Sequence, residues 1–198
     1  MILYRIARAV LGPLLRLVWR LEVVGAENVP TGPAIVVANH DSLSDPFFLG
    51  AAIERPLHFL AKRELWSNPV AGRLLDRLGG IPVERRRGDL TAVAALASAL
   101  ERGDAVAIFP QGTVLGDVDR PWQRGAARLA LTTGAPLLPV AIVGAAHVLR
   151  PGTRIPRLAR VRIVIGPPID VERADPTIPA TRELTGRVRD AVRAMSIS

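Results

Sequence analysis

The chain has 198 residues, enough for one domain with a substantial core, and nothing in it marks a second. Cysteine is absent, which excludes disulfides, thiolate metal sites and a cysteine nucleophile; the three histidines, His40, His58 and His147, lack zinc-like spacing, so neither a metal nor a cofactor is expected. The formal net charge of +8 comes almost wholly from arginine, Lys62 being the only lysine, and points to anionic partners: a phospholipid surface, a phosphate-bearing substrate or nucleic acid.

Residues 2–21 are long enough to span a bilayer, but Arg5, Arg8, Arg16 and Arg20 argue against a spanning helix. On a helical wheel these arginines fall within about 120° of one another and leave a broad face of Ile, Leu and Val, with Trp19 near the polar border. The pattern predicts a helix lying in a membrane interface, bent near Gly12-Pro13; an amphipathic helix packed on its own domain is the plainer alternative. Arg16 and Arg20 interrupt the apolar run and no small-x-small site follows, which argues against a cleavable signal peptide. Residues 1–21 are therefore read as a membrane-association helix and 22–198 as one folded domain.

Beyond it, short β-branched runs alternate with helical patterns, the order of an α/β domain with a mixed, largely parallel sheet flanked by helices. Strands are expected at Glu22–Val24, Ala34–Ala38, Leu57–Ala61, Ile81–Glu84, Ala105–Phe109, Leu137–Val143 and Val161–Ile165. Helices are expected at Asp45–Ile53, Pro69–Leu78, Asp89–Glu101, Trp122–Thr133 and Thr181–Met195, with Gly103 and Gly134 as stops. Residues 144–160 and 166–180 read as connections, the first a basic edge through Arg150, Arg154, Arg157 and Arg160.

The stretch Asn39-His40-Asp41-Ser42-Leu43-Ser44-Asp45 follows the apolar run 34–38 and sets a histidine and a carboxylate around a turn. On a continuous helix His40 and Asp45 would lie about 140° apart, so a turn is needed to bring them together. Two readings of Asp45 stay open: a helix N-cap ahead of Pro46, or the acid that orients a general base. Their place after a strand, where open α/β sheets put their sites, favours the second. Ser42 lacks a Gly-x-Ser-x-Gly elbow and reads as turn structure.

With these residues in view, the chain resembles the glycerolipid acyltransferases of the 1-acylglycerol-3-phosphate acyltransferase family. His40 and Asp45 match the family's His-x-x-x-x-Asp block; Gly80-Ile81-Pro82-Val83-Glu84-Arg85 resembles the second block, Phe109-Pro110-Gln111-Gly112-Thr113 the third and Leu138-Pro139-Val140-Ala141 the fourth. The segments 24–30 and 124–127 are also like the family, so the resemblance runs nearly end to end. It implies a membrane-associated O-acyltransferase of phospholipid biosynthesis, at the cytoplasmic face of the cell membrane. That enzyme would move a fatty acyl group from acyl-CoA or acyl carrier protein to a lysophospholipid hydroxyl, 1-acylglycerol 3-phosphate giving phosphatidate. His40 would be the base and Asp45 its orienting acid; Arg85, Gln111, Gly112, Thr113, Lys62 and Arg124 would bind substrate.

The third block departs from the family's Pro-Glu-Gly-Thr-Arg in carrying Gln111 and Val114, so that two charges are missing as a unit. The departure leaves two alternatives open: Arg120 or Arg124 supplies the missing cation, or the acceptor is of a second class, a lysolipid with a larger head group or an aminolipid. Hydrolysis of a thioester or lipid at the same pair is a further alternative. Against a nucleic-acid partner stand the aromatic fraction of 4% and the lack of any recognition motif.

Overall fold

Short β-branched runs and the amphipathic segments between them assemble as one sheet with helices on both faces. A computed structural model of the chain describes residues 12–77, 79–83, 90–112, 121–149, 153 and 155–197. Its strands are β1 (Glu22–Val24), β2 (Ala34–Ala38), β3 (Leu57–Lys62), β4 (Gly80–Val83), β5 (Ala105–Ile108), β6 (Leu137–Val143) and β7 (Arg162–Ile165). The helices are α1 (residues 12–18), α2 (Asp45–Ala52), α3 (Pro69–Arg77), α4 (Leu90–Glu101), α5 (Gly125–Thr133), α6 (Ala145–Val148) and α7 (Ile178–Ile197).

The strand order is β1-β7-β6-β2-β5-β3-β4. Strands β6, β2, β5, β3 and β4 are mutually parallel, while β7 pairs antiparallel with β6 and β1 runs alongside β7. The sheet is thus mixed and largely parallel, as the alternating pattern predicts. Strand β2 is buried at every position because both faces are covered, which is why its sequence is a continuous apolar run. Val36 and Ala38 face α2, α6 and the end of α1; Ile35 and Val37 face α4, α5 and α7.

This division sets the position of the site. The chain leaves β2 for α2 on one face and leaves β5, the adjacent strand, for α5 on the other. Two neighbouring parallel strands whose helices depart to opposite faces leave a crevice beyond their carboxyl ends.

Several boundaries differ from the sequence expectation. The segment 144–160, read as a connection, begins with the short helix α6. Helix α5 starts at Gly125, three residues after the predicted Trp122, and α7 starts at Ile178, three before the predicted Thr181. Pro179 fits the first turn of α7, and the Thr177 hydroxyl accepts the Ala180 N–H at 3.3 Å, which supplies a start signal earlier than Thr181. Gly103 and Gly134 stand in the left-handed conformation at the helix ends where stops were expected.

In α1, Leu15 is buried in the core and Leu14 and Leu17 are exposed. Residues 1–11, with Arg5 and Arg8, lie outside the described residues, and so do Arg150 and Arg154. No helix among the described residues is long and apolar enough to cross a membrane.

Candidate active site

The crevice is organised from the end of β2. Beyond Ala38, the Asn39 side chain takes over from the strand ladder: its Oδ1 accepts the Ile142 N–H at 2.7 Å and its Nδ2 donates to the Ile142 carbonyl at 2.8 Å. Nδ2 also donates to Asp41 Oδ2 at 2.6 Å. The backbone can then leave the sheet at His40 without orphaning the polar groups of β6.

The turn that follows is closed by Asp45. Its Oδ2 accepts the N–H groups of Asp41 and Ser42, each at 2.8 Å, and lies 3.0 Å from His40 Nδ1. An oxygen already accepting two amide protons acts as an acceptor toward the ring as well, so Nδ1 carries the hydrogen and Nε2 keeps its lone pair. The cap reading of Asp45 is thereby corrected. Ser44 is the N-cap of α2, Asp45 already belongs to the helix, and its carboxylate points back to the turn instead of to the helix amides. Phe47 and Phe48 donate to the Ser44 carbonyl, and Pro46 has no N–H to satisfy.

Burial pushes the Asp45 carboxyl above the ordinary Asp range, opposed by the hydrogen bonds from His40 and the Ser42 amide. The opposition is one-sided: Oδ2 has all these donors, whereas the buried Oδ1 has no hydrogen-bond partner among the described residues. Ser42 is fully buried; its Oγ donates to the Leu149 carbonyl at 3.0 Å, lies 2.8 Å from Ser44 Oγ and accepts the Ser44 N–H. It serves the turn, as the sequence suggested.

The loop after β5 supplies the other wall. Phe109 stacks on the His40 ring with centroids 4.3 Å apart and planes inclined by 27°. Gln111, expected among substrate-binding residues, is buried and its Oε1 accepts the main-chain N–H of His40. Gly112 turns the loop at a φ of +71°, where a Cβ would meet Gln123 Nε2 at 2.5 Å. Its N–H donates to the Phe109 carbonyl at 3.1 Å.

His40, Asp45, Gln111 and Gly112 therefore stand together at the carboxyl ends of β2 and β5. Lys62 is exposed at the same edge, at the end of β3, and Arg124 is exposed at the N-cap of α5. Arg85 and Thr113 lie outside the described residues, as do Val114 and Arg120. Sequence reasoning did not single out Asn39 or Phe109 for a role; the signal available was their place at strand ends flanking the two blocks.

The family model described as Acyltransferase matches residues 20–143, more than half of the chain. The chain belongs to the acyltransferase family. It is 30% identical over 169 residues to the 1-acyl-sn-glycerol-3-phosphate acyltransferase of Bacillus subtilis, covering 84% of this acyltransferase and 82% of the relative. It is 37% identical over 123 residues to the lyso-ornithine lipid O-acyltransferase of Pseudomonas aeruginosa, covering 61% of this chain and 47% of that protein. The crystal structure of the 1-acyl-sn-glycerophosphate acyltransferase PlsC from Thermotoga maritima superposes with a TM-score of 0.77 at 26% identity, over 97% of this chain and 79% of that one. The acyltransferase is an enzyme of the O-acyl transfer class, and the segment matching the family holds His40, Asp45, Phe109, Gln111 and Gly112. Helices α6 and α7, strand β7 and residues 155–160 lie beyond that segment.

Proposed function

We propose that this acyltransferase moves a fatty acyl group from a thioester, of coenzyme A or acyl carrier protein, to the free hydroxyl of 1-acylglycerol 3-phosphate, giving phosphatidate. The observation that carries the reading is the His40–Asp45 pair: an imidazole with Nδ1 committed to a buried carboxylate and Nε2 left as the basic nitrogen. An alcohol is a poor nucleophile at neutral pH, and a positioned base that takes its proton during attack contributes typically ~10²–10⁴ in rate.

In the proposed step the acceptor hydroxyl gives its proton to His40 Nε2 as its oxygen attacks the thioester carbonyl. The tetrahedral intermediate expels the thiolate, which takes the proton back from Nε2. Asp45 holds the tautomer and stabilises the transient imidazolium, and Gln111 fixes the backbone from which the ring projects. No acyl-enzyme is needed, in keeping with Ser42 being committed to the turn. Arg85, Thr113, Lys62 and Arg124 are proposed to bind the acceptor's phosphate or the donor. The enzyme would work as a peripheral or monotopic protein on the cytoplasmic face of the cell membrane.

A second acceptor class has a specific observation in its favour. The similarity to a lyso-ornithine lipid O-acyltransferase coincides with a third block that lacks its two usual charges, Gln111 and Val114 standing in their place. An aminolipid acceptor would not need the lost cation. Incubating purified enzyme with radiolabelled acyl-thioester and a panel of lysolipids tests both: acylated lysophosphatidate as main product supports the first reading, and acylated lyso-aminolipid the second. Free fatty acid released at a rate indifferent to every acceptor would sink the transferase reading in favour of hydrolysis.

A further inference from the structure

Between Val148 and Ile169 the sequence contains no aspartate or glutamate. Within this span residues 155–160, Ile-Pro-Arg-Leu-Ala-Arg, cross the end of α1, with Ile155 and Leu158 each 79% exposed and Arg157 and Arg160 facing solvent. Two large aliphatic side chains held that far into water and flanked in sequence by cations, with the neighbouring Glu22 paired to Arg162 at 3.6 Å, match the interface of an anionic bilayer: apolar knobs for the acyl boundary, guanidinium groups for the phosphates.

The outer side of α1 has the same chemistry. Leu14 and Leu17 are exposed, the latter by 81%, beside exposed Arg16 and Arg20, and residues 12–21 also lack an acidic group. The two segments are fastened together. Trp19 Nε1 donates to the Arg157 carbonyl at 2.8 Å, the Val161 N–H donates to the Trp19 carbonyl at 3.1 Å and the Glu22 N–H donates to the Val161 carbonyl at 3.0 Å. These bonds bracket Arg20, which they hold in the left-handed conformation at a φ of 47°, rare for a side chain of its size. On the other side of the segment, the Arg160 carbonyl lies so close to Gly144 that no Cβ would fit there.

The same assembly reaches the reacting groups. Trp19 packs edge-on against Phe48 of α2 at 6.1 Å, and Ser42 of the histidine turn donates to the Leu149 carbonyl. Leu43 and Phe47, on either side of Asp45, are exposed apolar residues.

We propose that residues 155–160 are a second membrane-docking element, which with residues 12–20 binds an anionic phospholipid surface and holds the histidine turn against it. This rests on the reading that the acceptor is a bilayer lipid. It is carried by two segments far apart in sequence that present the same pattern of exposed leucine or isoleucine and arginine and are hydrogen-bonded to each other.

The experiment is co-sedimentation of the full chain with vesicles of equal parts phosphatidylglycerol and phosphatidylcholine. Ile155→Ser with Leu158→Ser should lower the partition coefficient at least tenfold with an unchanged Tm, since neither side chain is packed. Arg157→Gln with Arg160→Gln should lower it roughly fivefold per arginine and flatten its salt dependence. Ile178→Ser, also apolar and exposed, at 62%, but on α7 across the sheet, should leave it unchanged. Acylation of a vesicle-borne acceptor should fall in parallel with binding, while turnover of a short-chain acceptor below its micelle concentration stays at the wild-type rate. Vesicle binding undiminished in the Ile155/Leu158 variant overturns the proposal, as does a loss matched by Ile178→Ser. If binding falls as expected but the wild type acylates no lysolipid, the docking element stands and the acceptor reading fails.

Discussion

The sheet carries a histidine–aspartate pair at each end of its strands, and their distances are nearly the same: His40 to Asp45 at 3.0 Å beyond the carboxyl ends, His58 to Asp104 at 3.1 Å at the amino ends. Their surroundings differ in every other respect. Asp45 is 0% exposed and its engaged oxygen accepts two amides of the histidine turn, whereas Asp104 is 27% exposed and shares its oxygen with Arg102 Nε at 3.5 Å. The His40 ring is fixed by a stacked phenylalanine and its backbone by Gln111; His58 sits in a strand as one member of a solvated charge cluster. Distance alone does not make a base. What distinguishes the first pair is that its carboxylate faces no other cation among the described residues and is sealed from water.

The comparison is most directly broken by removing each histidine. His40→Ala should reduce turnover by ~10²–10⁴ with little change in Tm, because the ring's loss leaves the turn's backbone bonds in place. Measured on acyl-thioester and lysolipid at saturating donor, retention of more than a tenth of the wild-type rate would refute the role assigned to the carboxyl-end pair.

Asp45→Asn separates the acid from its environment. The amide keeps its oxygen toward the ring and the Asp41 and Ser42 N–H groups, because only an acceptor fits there, but carries no charge to stabilise the imidazolium formed in the step, lowering turnover by about 10²-fold or more. Stability should move the other way. The native carboxyl binds its proton more tightly than the unfolded one, so between the ordinary Asp value of 3.8 and the raised native value the folded state holds more protons than the unfolded, and stability falls as pH rises through that window. Asparagine lacks this loss. Thermal melts from pH 3 upward should show the variant gaining on wild type as pH climbs, and a variant that loses ground instead would contradict the uncompensated burial of Oδ1.

Gln111→Leu sharpens the contrast from the opposite strand. It leaves the His40 N–H inside the protein without its acceptor, at a cost of ~1–3 kcal/mol, and should lower kcat more than KM because the ring is mispositioned and the acceptor site is untouched. A change in KM alone, with kcat retained, would return Gln111 to the substrate-binding role that its block suggested.

The smallest effect belongs to the amino ends of the strands. His58→Ala should leave turnover within about twofold of wild type and cost about 0–1 kcal/mol by denaturant titration, the scale of a partly exposed ion pair. A loss of activity comparable with His40→Ala would overturn the distinction between the two pairs.

Much of the fold could be read along the chain because its rules are local. Strands β1, β2 and β6 coincide with the predicted runs; the β-branched residues of β2 and β6 suit a pleated surface covered on both sides. The helix ends were less legible where a start signal competed with a better one nearby, as at Thr177 and Pro179 ahead of α7. Helix α6 is a single turn, too short to leave a periodicity. For Asp45 the sequence offered two roles of equal chemistry, since an aspartate before a proline caps helices and also orients imidazoles. Only the direction of its side chain, back toward Asp41 and Ser42, separates them.

From its sequence alone this acyltransferase determines the order of its elements, the turn that brings His40 to Asp45 and the basic apolar character of both docking segments. All of these follow from residues within a few positions of one another, where propensity, capping and charge spacing act. Tertiary structure decides which histidine–aspartate pair is sealed from water. It also sets Gln111 and Phe109 around His40 from a strand about seventy residues on, and Ile142 against Asn39 from about a hundred. Burial and hydrogen-bond satisfaction depend on what distant segments cover, so the value of a charged group is known only once the chain has closed over it.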